Sequence, residues 1–214
     1  MDPKVRDRTS AELFVRKKEF LKICDILDEL KVNYFLQSGI LLGAIRDNDL
    51  IKWDWDIEIS VFSDEFLSKI DLIVDKLKKN QFKIKKVNKK KDDSKIDFIG
   101  EYPENVTGYT IWSWNYSSIR DVYWRREFSL PSKFLTSFSK IDFLGRQFNC
   151  PNNPKEYLEF AYGNWKVPLR SADKELYNTK NYKNKIKFNI MNIRQKLLKI
   201  IYDSWKLLKN YLST

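Results

Sequence analysis

Residues 53–59 read Trp-Asp-Trp-Asp-Ile-Glu-Ile, an alternation of acids and apolar side chains with the period of a β-strand rather than a helix. In a strand, Asp54, Asp56 and Glu58 share one face, and Trp53, Trp55, Ile57 and Ile59 share the other. The apolar face commits the chain to a sheet with a core behind it. The acidic face adds a second constraint, because three neighbouring carboxylates repel and raise one another's pKa. Either solvent screens them, as on an amphipathic edge strand, or a cation answers them. Oxygen ligands on a rigid strand suit Mg²⁺ or Mn²⁺, which bind through a few carboxylates and leave positions for water and substrate phosphates.

The residues upstream favour the cation. Val32 to Phe35 is a short β-type run, followed by Gln37-Ser38-Gly39-Ile40-Leu41-Leu42-Gly43-Ala44-Ile45-Arg46. Two glycines opening a segment of helix formers directly after a strand make a turn whose N–H groups and helix N-terminus can meet a phosphate. Ser38, Gly39, Gly43 and Arg46 are the expected phosphate-binding residues, with Arg46 adding a charge-assisted contact. For Gly43, close packing of the helix on the sheet is the competing explanation. The order strand, glycine turn, short helix, acidic strand is that of enzymes that move phosphorus groups with two metal ions.

Gly39 to Arg46, followed by Ile51-Lys52-Trp53-Asp54-Trp55-Asp56-Ile57-Glu58-Ile59, resembles the signature of the LicD/fukutin-related phosphotransferases of the nucleotidyltransferase superfamily. A second stretch resembles that family's distal pattern: Phe143-Leu144-Gly145, then Pro151-Asn152-Asn153-Pro154-Lys155-Glu156-Tyr157-Leu158, and Tyr162-Gly163-Asn164-Trp165-Lys166-Val167-Pro168. The resemblance covers residues 15 to 170. It implies a nucleotidyltransferase-like mixed sheet and a CDP-activated donor such as CDP-choline or a CDP-alditol. It also implies a glycan hydroxyl as acceptor, and Mg²⁺ or Mn²⁺ held by Asp54 and Asp56 with an acid from a neighbouring strand. Asp97, in Lys95-Ile96-Asp97-Phe98-Ile99, takes that third metal position; in the rival segment Tyr109 to Trp114 the place is held by Thr110. Glu58 or Asp97 is then expected to orient or deprotonate the acceptor hydroxyl. Three residues depart from the family pattern: Ile40 replaces Thr or Ser, Lys52 replaces proline, and Glu58 replaces a third aspartate. Nucleotidyl transfer from an NTP, or a catalytically degenerate binding module, are the alternatives.

The chain is expected to be α/β (α+β), with a catalytic domain over 1–170 and a linker plus basic amphipathic helix over 171–214. Ser10 is expected to cap a helix over 11–30. Strand 32–36, helix 40–46, strand 53–61, helix 63–79, strands near 82–87, 95–102, 108–116 and 141–149, and a helix from Asn153 through Tyr162 follow. The segment 120–127 either contacts a nucleotide or sugar or forms a buried ion-pair loop, the second being favoured. No histidine is present, which excludes imidazole catalysis and His-ligated zinc.

The net charge of +11 points toward nucleic acid only until it is located. Residues 83–95 and 183–214 carry the whole excess, and the first looks like a solvated hairpin loop. In the second, apolar residues recur every three or four positions between lysines. Packing of that stripe on the core or a second subunit is the leading reading, peripheral contact with an anionic membrane the next, and nucleic acid the least favoured. With no apolar signal region or spanning stretch, the protein is expected in the cytoplasm, at the inner membrane surface if the helix binds lipid. Cys24 and Cys150 suggest no disulfide framework.

Overall fold

A computed structural model describes residues 5–100, 108–171, 173–182, and 197, 198, 201, 204 and 205. The first helix, α1 (Ser10–Glu29), is capped one residue earlier than expected. Thr9 accepts from the Glu12 N–H at 3.2 Å while the Glu12 carboxylate accepts from the Thr9 N–H at 2.7 Å. Only a cap at Thr9 puts Glu12 three residues on, where this reciprocal pair can close.

The chain then forms β1 (Tyr34–Leu36), α2 (Ser38–Arg46), β2 (Asp56–Phe62), α3 (Ser63–Lys79), β3 (Lys83–Asn88), β4 (Lys95–Ile99) and β5 (Gly108–Ser117). The strands make a mixed sheet in the order β1-β2-β5-β4-β3, with β2 and β5 parallel and the other pairs antiparallel. Segment 83–95 is therefore largely an edge hairpin, with only its tip left as loop. The far half of β5 pairs with β6 (Val122–Arg125), which pairs with β7 (Phe128–Pro131).

Two strand expectations need correction. The acidic strand begins at Asp56, not Trp53: among the described residues its ladder with β5 opens at the pair Asp56 and Gly108. Trp53 lies in a turn and Trp55 in the link between that turn and the strand; both are only half-buried, while Ile57 and Ile59 are in the core. Residues 141–149 form not one strand but part of a hairpin, β8 (Phe138–Phe143) and β9 (Arg146–Pro151). Leu144 (φ 51°) and Gly145 (φ 76°) both take the left-handed conformation that a two-residue hairpin turn requires. Two helices follow, α4 (Pro154–Tyr162) and the single turn α5 (Lys174–Tyr177). The expected helix over 183–214 lies almost wholly outside the described residues; Leu197, Leu198, Ile201 and Trp205 within it are exposed. Among the described residues no helix is long and apolar enough to cross a membrane.

Phe20, Ile23 and Leu27 of α1 and Phe66, Ile70, Ile73 and Leu77 of α3 share one core with Ile57, Ile59, Tyr109 and Ile111 of the sheet. The opposite face carries three rows of side chains set by the register. Asp56 lies beside Gly108; Glu58, Thr110 and Asp97 lie in line; Ser60, Trp112 and Lys95 form the third row. Cys24 and Cys150 are free, buried thiols.

Candidate active site

A buried polar network fixes the glycine turn to the sheet. The Gln37 carbonyl oxygen accepts from Ser60 Oγ and from Trp114 Nε1, each at 2.8 Å, and Ser60 Oγ accepts from Trp112 Nε1 at 2.7 Å. With its side chain so engaged, Gln37 makes no cap bond to α2. Ser38 follows with φ 55°, a left-handed conformation costing a non-glycine residue about 1 kcal/mol or more. Such strain is held only where the surroundings over-determine it.

The turn before β2 brings Asp54 against the start of α2. A Cβ placed on Gly39 would stand 2.3 Å from Asp54 Oδ2, so glycine is required for this approach. The carboxylate thus occupies the positive end of a helix. Burial first, and the neighbouring Asp56 second, push the Asp54 carboxyl up to about 7, against the opposing pull of Arg16. The Asp56 charge that opposes ionisation of Asp54 is one that a bound cation would offset. Among the described residues no three acidic side chains converge as a metal cage. Two carboxylates supply the donor set that Mg²⁺ or Mn²⁺ takes when substrate phosphates and water fill the other positions, and this pair fits such an ion.

Asp97 does not join them. It stands on the same face as Glu58 but on the far side of Thr110, two strand spacings or about 10 Å away along the sheet. There it pairs with Lys95 at 2.6 Å and accepts from Thr110 Oγ1 at 3.0 Å. Gly43 also falls outside the expected phosphate group. A Cβ there would meet the Asp49 carbonyl oxygen at 2.5 Å, so this glycine serves the packing of α2 on its following loop.

The pocket that holds the acids has a volume of about 470 Å³. Ser38, Gly39, Arg46, Asp54, Asp56 and Glu58 line one side. A distal wall is added by Tyr162, Asn164, Trp165, Val167 and Pro168, followed by Leu176, Tyr177 and Tyr182. Burial raises the Tyr177 hydroxyl far above its ordinary value, and the charges of Asp54, Asp56 and Glu58 add to the rise. Arg46 donates to both carboxylate oxygens of Asp47 at 2.8 Å and lies 5.7 Å from the Trp53 ring. Arg170 stacks on the same ring at 4.6 Å and bonds Asp7 at 2.7 Å, pinning the distal wall to the acidic turn.

Several of these residues carried no reading in the sequence. Arg16 is buried and donates to the main-chain oxygens of Asp54 and Asp56 at 2.8 and 3.2 Å. Its signal was a cation in the stripe Leu13, Arg16, Phe20, Ile23, Leu27 of α1. In segment 120–127, Arg125 lies buried 3.5 Å from the Trp112 ring and 3.5 Å from Asp93, as the ion-pair reading expects. Burial draws its pKa down to about 10 although the Glu58 and Asp93 charges oppose the shift. Gln37 had a position but no pattern, and Tyr177 and Tyr182 had none.

Residues from 162 to 168, the last part of the distal stretch, thus line the same pocket as the acids at the glycine-opened helix. Residues 31–153 match the LicD/FKTN/FKRP nucleotidyltransferase domain. The chain belongs to this LicD/FKTN/FKRP family. The family match holds β1 through β9, whereas α1 and the distal wall lie outside it. Over 179 residues, 78% of the chain, it is 27% identical to the ribitol-5-phosphate transferase FKTN of Macaca fascicularis. Over 156 residues, 66% of the chain, it is 24% identical to the ribitol 5-phosphate transferase FKRP of Mus musculus. The chain spans 37% and 30% of those relatives' lengths. Its fold is similar to the solution structure of the antibiotic-resistance factor ANT(2'')-Ia, with a TM-score of 0.50 at 13% identity over 93% of this chain and 97% of that one. The nucleotidyltransferase-like mixed sheet flanked by helices is thus the fold of this LicD-family chain.

Proposed function

We propose that this protein is a metal-dependent phosphotransferase that moves an alditol phosphate, or another phospho-substituent such as phosphocholine, from a CDP-activated donor to a glycan hydroxyl. The observation that carries the reading is Asp54 set against the N-terminus of α2, with Asp56 lining the same pocket of nucleotide size. The two relatives named for ribitol 5-phosphate transfer favour an alditol phosphate over phosphocholine as the transferred group.

Asp54 and Asp56 would hold Mg²⁺ or Mn²⁺, which when bound supplies charge stabilisation at the donor pyrophosphate. Ser38 and Gly39 present the first turn of α2 to the same phosphates. Arg46, restrained by Asp47, lends part of a positive charge from the pocket wall. Glu58, on the strand face next to Asp56 and inside the pocket, is better placed than Asp97 to orient or deprotonate the acceptor hydroxyl. The buried rings of Trp165 and Tyr182 in the distal wall put low-dielectric surface at the pocket, which strengthens these electrostatic contacts.

The test is the melting temperature with Mg²⁺ and CDP-ribitol, CDP-glycerol, CDP-choline, CTP or ATP, with Asp56→Ala as control. A ligand at about 100 times its dissociation constant adds about 2.7 kcal/mol, or several degrees for a chain of this length. The expected result is a metal-dependent shift from a CDP-linked compound that is absent in the variant. A shift from nucleoside triphosphates alone would replace the proposal with nucleotidyl transfer, and no shift from any compound would leave a binding module.

A further inference from the structure

Among the described residues, the segment that carries Asp54 and Asp56 has a neighbouring strand on one side only. On its β5 side, the Gly108 N–H reaches the Trp55 carbonyl at 3.4 Å. Carbonyls alternate along an extended chain, so those of Asp54 and Asp56 point the other way, toward β1. But β1 is only three residues long and pairs with Ile59, Ser60 and Val61, after which the chain turns into α2 at Ser38. Among the described residues, no strand pairs with Asp54 or Asp56 on that side.

Arg16 fills that place. From the buried stripe of α1 its two terminal nitrogens donate to the Asp54 and Asp56 carbonyls at 2.8 and 3.2 Å. Its Nε is also buried and makes no hydrogen bond among the described residues. Burying a guanidinium with a donor left over is costly, and an apolar residue here would pack at less expense. What only the guanidinium provides is two N–H groups on one rigid plane, which grip two carbonyls at a set separation. A lysine ammonium offers a point charge on a flexible stem instead.

We infer that Arg16 is a positioning residue that stands in for the missing strand, fixing the spacing and direction of the Asp54 and Asp56 carboxylates before a divalent cation arrives. The inference rests on the metal reading above for its functional part, while the clamp itself rests on geometry. The arginine would act through the main chain, not by touching substrate, and it lies in α1, outside the residues that match the family domain.

Two measurements separate the clamp from the metal reading. Hydrogen exchange of metal-free protein should show the amides of residues 53–58 exchanging at least about tenfold faster in Arg16→Met than in wild type, with β5 and α3 unchanged. Mn²⁺ titration followed by electron paramagnetic resonance, at a temperature where near-ultraviolet dichroism shows both proteins folded, should give about a tenfold weaker dissociation constant for the variant. Arg16→Lys, which keeps charge and length, should fold if Arg16→Met does not and fall between the two on both readouts. Exchange at 53–58 indistinguishable from wild type in both variants overturns the clamp. Faster exchange with unaltered Mn²⁺ affinity overturns its role in positioning the acids. Wild-type protein that binds no Mn²⁺ overturns the metal reading, while the exchange result still decides the clamp.

Discussion

The acid pair should weaken the metal-free fold, and Asp54→Asn measures by how much. The Asp54 carboxyl holds its proton up to about pH 7 in the folded protein, against an ordinary value of 3.8. Between those values the folded state binds more protons than the unfolded chain, so stability falls as pH rises through the window and stays low above it. At about 1.36 kcal/mol per pH unit, the full shift corresponds to about 4 kcal/mol, an upper figure because part of the shift comes from the neighbouring Asp56 charge. Asparagine keeps the shape without the charge. In EDTA at pH 8, Asp54→Asn should therefore unfold at a temperature several degrees above wild type, and the difference should shrink toward zero near pH 4. Mg²⁺ should raise the wild-type value and leave that of the variant unchanged. Thermal unfolding across pH 4 to 8, with and without Mg²⁺, checks all of this. A variant no more stable than wild type at pH 8, or an advantage equally large at pH 4, would refute the reasoning.

Asp56→Asn should abolish transfer while the circular dichroism spectrum remains that of wild type; retained turnover would remove the metal assignment. The two glycines of α2 should separate by function. Gly39→Ala pushes a methyl onto the Asp54 carboxylate and should weaken Mg²⁺ binding by up to about tenfold, since an off-rotamer side chain costs about 0.5–1.5 kcal/mol. Gly43→Ala meets backbone instead and should destabilise the fold by about 1–3 kcal/mol with Mg²⁺ affinity retained, as calorimetry of each would show. Deleting residues 183–214 should reduce cosedimentation with anionic vesicles if the lysine-rich stripe meets a membrane, and equal sedimentation of both forms would remove the membrane reading.

What could be read early was local. Alternation at 53–59 located the acids on one face, the paired glycines located the helix after β1, and the distal motif marked residues that the pocket does use. Each follows from a period of two, a φ value or a packing distance that neighbouring residues set by themselves. Where β2 begins was not local, because its first described pair joins Asp56 to Gly108, fifty-two positions downstream. The same register carried Asp97 away from the acids by inserting Thr110 between them, although sequence alone made it the natural third ligand. Arg16 looked like a flaw in an apolar stripe until the shortness of β1 left two carbonyls for it to hold. Sequence by itself thus determined which residues carry charge, which face they take and which family they join. Tertiary structure decided which of those charges meet, because strand pairing and the return of residues 162–182 over the pocket depend on contacts far apart in the chain.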